Sequence, residues 1–163
     1  MTSSNAVAAR IPAAHGWLHA SYAWLARLPL SILQLAMRIG VGAVFFKAGL
    51  LKYRSPEFTV KLFEDEYQVP LLDPTFAARL TMVMELTIPV LLFLGLATRV
   101  ATLPLLGMIT VIQLFVYPNA WTDHLLWGSI LVFLLTRGPG ALSLDHVIGR
   151  SLGARWHREG GAP

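Results

Sequence analysis

The chain has 163 residues, of which 55% are hydrophobic and only 13% charged, and its mean hydropathy is +0.59. The charged share is about half the roughly 25% that clothes a soluble domain, so a free soluble globule is all but excluded; the apolar content with a net charge of +4 excludes a disordered chain. No cysteine is present, which rules out internal disulfides, zinc–thiolate sites, Cys-ligated iron–sulfur clusters and a thiol relay within the chain. The length suits one domain. The basic residues flank apolar blocks and form no patch interleaved with aromatics, so they read as membrane-flank charge and not as a nucleic-acid surface.

Residues 1–29 are expected to form a cytoplasmic amphipathic segment, with Trp17, Leu18, Tyr22, Trp24, Leu25 and Leu28 on its apolar side. Arg10, His15, His19 and Arg27 interrupt any apolar run, so the segment does not read as an ordinary cleaved signal. His15 and His19 are four apart but lack a third ligand, and no metal site is assigned.

Residues 30–136 hold four apolar blocks of bilayer-spanning length: Leu30 to Leu51, Thr75 to Leu96, Val100 to Tyr117 and Ala120 to Thr136. A helix needs about 20 residues, within roughly 17–25, to cross the hydrocarbon core, so the last two fit narrowly. Ala97-Thr98-Arg99 and Pro118-Asn119 are links short enough to force antiparallel neighbours. The predicted fold is all-α: an antiparallel four-helix transmembrane bundle with amphipathic interfacial helices at the termini and in the first outer loop. In that loop, Ser55-Pro56-Glu57 reads as a helix start, Phe58/Leu62 and Phe63/Tyr67 are i,i+4 pairs, and Pro70 ends the segment.

Residues 137–163 open on Arg137-Gly138-Pro139-Gly140, a helix stop. Ser143 then caps a basic amphipathic tail carrying Leu144, Ile148, Leu152 and Trp156, with Arg150, Arg155 and Arg158 around it. The terminal side holds Arg10, Arg27, Arg99, Arg137, Arg150, Arg155 and Arg158; the opposite side holds Lys52, Arg54 and Lys61, with Arg79 borderline. This imbalance places both termini in the cytoplasm.

An ionisable group in hydrocarbon costs about 2.5–3.5 kcal/mol at a helix centre and faces a partner in the bundle interior. Glu85 lies about 15 Å into the second span and Arg38 about 12 Å into the first from the other side, so an Arg38–Glu85 pair is expected. Arg38, Gly42, Phe45, Gly49 and Lys52 fall on one stripe, whose glycines admit a neighbouring helix, while Lys47 is off that stripe and should snorkel outward. The predicted buried polar centre comprises Arg38, Glu85, Lys52, Gln113 and His124. It reads either as a polar pocket or proton relay, or as a structural ion pair fixing helix register. His124 with Asp123 reads either as a redox or proton site, or as an interfacial cap of the fourth span. Gln113 and Tyr117 read as pocket lining, or as interhelical hydrogen bonding and part of an aromatic belt with Trp121 and Trp127. No nucleophile elbow, phosphate loop or metal motif is present, and no cofactor site is evident.

Taken in order, these residues resemble the DoxX family of small four-helix membrane proteins. The resemblance rests on Arg38, Gly42, Gly49 and Lys52 in the first span, Glu85 in the second, and Gly95-Leu96-Ala97-Thr98-Arg99 at its end. It closes with His124, Trp127 and the run Gly138-Pro139-Gly140-Ala141-Leu142-Ser143-Leu144-Asp145. The resemblance implies a bacterial inner-membrane protein. It also implies a link to quinone-dependent oxidoreductase complexes or to oxidative- and metal-stress systems, with quinone and partner subunits as possible associates. A small-solute or metal carrier and a noncatalytic membrane scaffold or assembly partner are the rival readings.

Overall fold

The structure, a computed structural model, describes residues 28–159, with side chains described through Ser151. The expected N-terminal aromatic helix, the His15/His19 pair and the side chains of Leu152, Arg155, Trp156 and Arg158 lie outside the described residues.

Each predicted apolar block forms a helix. α1 spans Leu30–Arg54, and α2 spans Pro56–Leu62 and runs on into a π-helical turn at Phe63–Tyr67. α3 spans Pro74–Leu94, and α4 spans Thr98–Val111 and continues into a second π-helical turn at Ile112–Val116. α5 spans Trp121–Arg137 and α6 spans Leu144–Glu159. No strand occurs among the described residues. α1, α3 and α4 with its π turn are long and apolar enough to cross a membrane. α5, with 17 residues, sits at the lower limit of about 17.

α1 packs along α3 and touches α5; α4 packs between α3 and α5. The start of α1 and the end of α5 share one end of the molecule. There Gln34 Nε2 donates to the Gly138 carbonyl at 3.1 Å and the Ala141 amide donates to Ser31 Oγ at 3.1 Å. This is the terminal end; α2 marks the opposite, loop end. The core between the long helices is sealed by Leu92, Leu105, Leu131 and Leu134, none of which keeps any exposed surface.

Local sequence explains the boundaries. Asp73 caps α3 by accepting from the Phe76 amide at 2.9 Å, and Pro74 occupies the first turn, where its missing N–H costs nothing. Pro56 does the same for α2, although the Ser55 side chain makes no capping bond; Thr59 ties that turn instead by donating to the Ser55 carbonyl at 2.9 Å. Phe63 turns inward against Ala77 and Ala78, while Phe58 stays exposed. Ser143 Oγ accepts from the His146 amide at 3.2 Å at the start of α6, whose Leu144, Val147 and Ile148 remain exposed.

The inward stripe of α1 is the predicted one. Arg38, Gly42, Phe45 and Gly49 are buried, and Lys47 is exposed. Gly49 faces α3 at close range: a Cβ there would lie 2.8 Å from Glu85 Cβ and 2.9 Å from the Glu85 carbonyl carbon. Because part of that obstruction is backbone, Gly49→Ala should lower stability by about 1–3 kcal/mol, the usual range for an overpacked contact. Gly128→Ala on α5, with nothing within 4 Å of the added carbon, should be neutral or slightly stabilising. Thermal unfolding of the two variants in one detergent checks the contrast.

Candidate functional site

In an α-helix every Cα–Cβ bond leans toward the helix N-terminus. On the antiparallel pair α1 and α3, Lys52 therefore leans from the loop end back into the molecule, and Glu85 leans toward the loop end. They meet: Lys52 Nζ donates to Glu85 Oε2 at 2.6 Å, with the lysine side chain 16% exposed and the glutamate 5%. Gly49, one turn before Lys52, opens the space in which this happens.

The same lean overturns the expected Arg38–Glu85 pair. Arg38 points toward the terminal end and is level with Leu92, seven residues, or about 10 Å, along α3 from Glu85. Lys52–Glu85 is the one ion pair among the described residues. Arg38, with no exposed surface, donates instead to backbone carbonyls: Nη1 to Leu92 at 3.4 Å and Nη2 to Leu142. The Leu92 carbonyl belongs to the last turn of α3, the negative pole of that helix and a natural seat for a cation.

Around Arg38 the segment from Gly138 to Asp145 forms a clasp. Asp145 caps α4, accepting from the Ala97 amide at 2.7 Å and the Thr98 amide at 3.0 Å, while its own amide donates to the Gly95 carbonyl at 3.0 Å. Gly95 has φ of 65° and lies against the Arg38 guanidinium and Ser143, so both its backbone and the space around it require glycine. Gly140 abuts Gln34, and Arg99 reaches the Thr136 carbonyl at 3.4 Å. The clasp residues Arg99, Gly138, Pro139, Gly140, Ser143 and Asp145 hold helix ends together.

Gln113 and His124 form a third polar group, near the loop end between α4 and α5. Gln113 Nε2 donates to the Pro118 carbonyl at 2.7 Å, and Gln113 Oε1 lies 2.6 Å from His124 Nδ1. His124 is buried and packs near Trp127, which also meets Phe45 edge to face at 6.1 Å. It is therefore not a cap of α5: its side chain turns inward, and neighbouring Asp123 is exposed. The single predicted polar centre thus resolves into three places. Lys52 is with Glu85, Gln113 is with His124, and Arg38 is in the clasp.

Each of the three borders a cavity, of about 500 Å³ at the clasp beside Arg99 and Asp145 and about 260 Å³ at His124. A space of about 370 Å³ lies between α3 and α4 beneath the α2 turn, with Lys52 and Glu85 at its inner end and walls that include Phe63, Met84, Pro104 and Met108. Leu80 and Val111 on the helices and Leu72 and Tyr117 at the loop end are 39%, 37%, 42% and 41% exposed, so the cavity opens sideways between the two helices and also at the loop end. Tyr67 and Tyr117 roof it: their rings meet edge to face at 5.6 Å, and Tyr117 Oη donates to Glu66 Oε1 at 2.7 Å. Tyr117 thus lines this cavity and not the Gln113 pocket. Sequence reasoning missed Glu66, whose exposed acidic run gives no sign of it, and it missed the cavity, which the exposed Gly107 beside Pro104 on α4 hints at.

Residues 33–118 match the family model described as DoxX. The chain belongs to the DoxX family. It is 35% identical over 117 residues to a Bacillus subtilis (strain 168) protein named "Putative oxidoreductase CatD", covering 68% of this chain and 83% of the relative. It is 33% identical over 129 residues to "Uncharacterized membrane protein Rv3486" of Mycobacterium tuberculosis (strain ATCC 25618 / H37Rv), covering 68% and 78%. A Haemophilus influenzae protein is 28% identical over 124 residues, covering 70% and 82%. No solved structure matches the chain. The matched region of this DoxX protein contains Arg38, Gly42, Gly49, Lys52 and Glu85, and with them the ion pair.

The ion pair makes a directional prediction. Lys52→Met leaves the Glu85 carboxylate in a low-dielectric site without its partner, a cost of about 3–5 kcal/mol for a sealed pair and less here because Lys52 is part-exposed. The double variant Lys52→Met/Glu85→Gln should therefore melt at a higher temperature than Lys52→Met alone, as thermal unfolding in detergent would read.

Proposed function

We propose that this DoxX protein is a four-span bacterial inner-membrane protein, with α5 as the fourth span, and that it binds a lipid-soluble quinone in the α3–α4 cavity as the membrane subunit of an oxidoreductase system. The observation that carries this reading is the combination at the cavity: apolar walls, a sideways opening between two helices of bilayer length, and a single charged pair at the inner end. A substrate entering from water would need a polar route, whereas one entering from lipid needs this kind of lateral opening.

The donor set suits a quinone. The Lys52 ammonium has three N–H groups, and Glu85 takes one of them. Another is available to a ring carbonyl, with Glu85 holding the ammonium in position. Phe63, Met84 and Met108 offer apolar and polarizable contacts to a ring and the start of its tail. A bound quinone supplies electron and proton transfer that the protein's own side chains do not. The name of the Bacillus subtilis relative agrees with a redox setting. By sequence position, Arg10, Arg27, Arg99, Arg137, Arg150, Arg155 and Arg158 on the terminal side outnumber Lys52, Arg54, Lys61 and Arg79 on the loop side, which supports cytoplasmic termini.

Titration of decylubiquinone into the protein in lipid nanodiscs tests the reading. Wild type should bind saturably. Glu85→Gln should weaken binding about tenfold or more, as expected when a charge-assisted contact of about 1.5–3 kcal/mol loses its support. Met84→Trp, which fills the cavity, should abolish binding. Equal binding by wild type and Met84→Trp would refute the site.

A further inference from the structure

A smaller cavity lies on the other side of α4, between α4 and α5, and its chemistry differs. It holds about 260 Å³ and is lined by Ile109, Thr110, Gln113, Leu114, Trp121 and Leu125 around His124. That exceeds the roughly 150 Å³ of an engineered apolar cavity that accepts benzene, so one six-membered ring fits. Leu114, Trp121 and Leu125 are 61%, 57% and 62% exposed, so this cavity too opens on the outer surface of the helices.

The hydrogen bonds around it fix the protonation pattern of the histidine. The Pro118 carbonyl can only accept, so the Gln113 atom 2.7 Å from it is the amide nitrogen. Gln113 Oε1 therefore faces His124 Nδ1 at 2.6 Å, and an oxygen there requires Nδ1 to carry a hydrogen. In the neutral ring Nε2 is then the bare nitrogen. Nε2 has no hydrogen-bond partner among the described residues, and it is not one of their two sealed, unpartnered side-chain atoms, Arg38 Nε and Thr98 Oγ1. His124 itself lines the cavity. Thr110 has committed its hydroxyl hydrogen to the Leu106 carbonyl at 2.9 Å, so it too offers lone pairs only. Gln113 Nε2 retains one uncommitted hydrogen.

We propose that this cavity is a second binding site, for the hydroxyl group of a single-ring phenol or hydroquinone, with His124 Nε2 as the hydrogen-bond acceptor. A ring hydroxyl can donate its hydrogen to His124 Nε2. A ring carbonyl has no hydrogen to donate and leaves His124 unmatched. The site selects the hydroxylated ring over its carbonyl counterpart. It stands apart from the Lys52–Glu85 cavity, since the two open on opposite sides of α4.

The test is nitrogen NMR of the full chain, labelled with 15N-histidine, in lipid nanodiscs under anaerobic conditions. The His124 signals are identified by their loss in His124→Asn. If that variant fails to fold, they are identified in a chain whose His15, His19, His146 and His157 are replaced by Gln. The free protein should show a protonated Nδ1 and an unprotonated Nε2. Durohydroquinone should shift the Nε2 resonance saturably, with duroquinone at least about tenfold weaker, the ratio expected for one net hydrogen bond. Gln113→Leu should mix the tautomers and weaken durohydroquinone about tenfold, whereas Glu85→Gln should leave both readouts unchanged. That last arm keeps failure of this site distinct from failure of the quinone cavity. A protonated Nε2 in the free protein, or equal or absent responses to the two probes, would overturn the proposal.

Discussion

Two antiparallel helices in close contact cannot aim their inward side chains at one another freely, because each leans toward its own N-terminus. On α1 and α3 this constraint decides the polar chemistry of the molecule. It draws Lys52 and Glu85 together and carries Arg38 away to the opposite end. The two cations are then stabilised by different means. Lys52, a compact ammonium, meets a carboxylate, and Arg38, with a planar fork of donors, is spread over two backbone carbonyls. An exchange of the two residue types would suit neither place.

The contact depends on small residues. Gly42 lies under the Phe93 ring and Gly49 under Glu85, so α1 and α3 approach closely. α3 packs more extensively on α1 than on α4. The looser α3–α4 seam carries Pro104 and Gly107, and α4 widens there into its π turn, a form often found at functional sites. Tight packing on one side of α3 and loose packing on the other place the charged pair beside a cavity between α3 and α4.

Most of the helix layout is legible in the sequence because bilayer length and apolar runs constrain it strongly. The stripe from Arg38 to Lys52, the outward Lys47, the short loop helix ending before Pro70 and the Ser143 start of α6 all follow from periodicity and turn chemistry. The partner of Glu85 was misassigned for a physical reason: depth counted from span ends treats side chains as points on the helix axis and ignores their lean. Asp145 illustrates another limit. In sequence it is a first-turn acid of α6, yet its carboxylate caps α4 across 47 and 48 residues, a contact no local pattern encodes. The π turns have no composition signature, and neither does a cavity made by the divergence of two helices. The Gln113–His124 pair falls between these cases. Its two-residue link predicts facing helices, and both side chains were singled out, but their mutual bond depends on the inward turn of His124.

A backbone carbonyl buried at a helix end must find a donor within the protein, because water does not reach it. Several of the buried polar side chains answer that need. Arg38 serves Leu92 and Leu142, Gln34 serves Gly138, and Gln113 serves Pro118; on the donor side, Asp145 serves the first amides of α4. Substituting these residues is expected to disturb the fold before it disturbs any chemistry. Besides the sealed Arg38 Nε and Thr98 Oγ1, which line neither binding cavity, what backbone satisfaction leaves over is a short set: the remaining N–H groups of Lys52 beside Glu85, and the bare nitrogen of His124. Both stand in cavities that open sideways, one on each side of α4. For that reason binding is assigned to these two places and not to Arg38, even though Arg38 is the most deeply buried charge in the described structure.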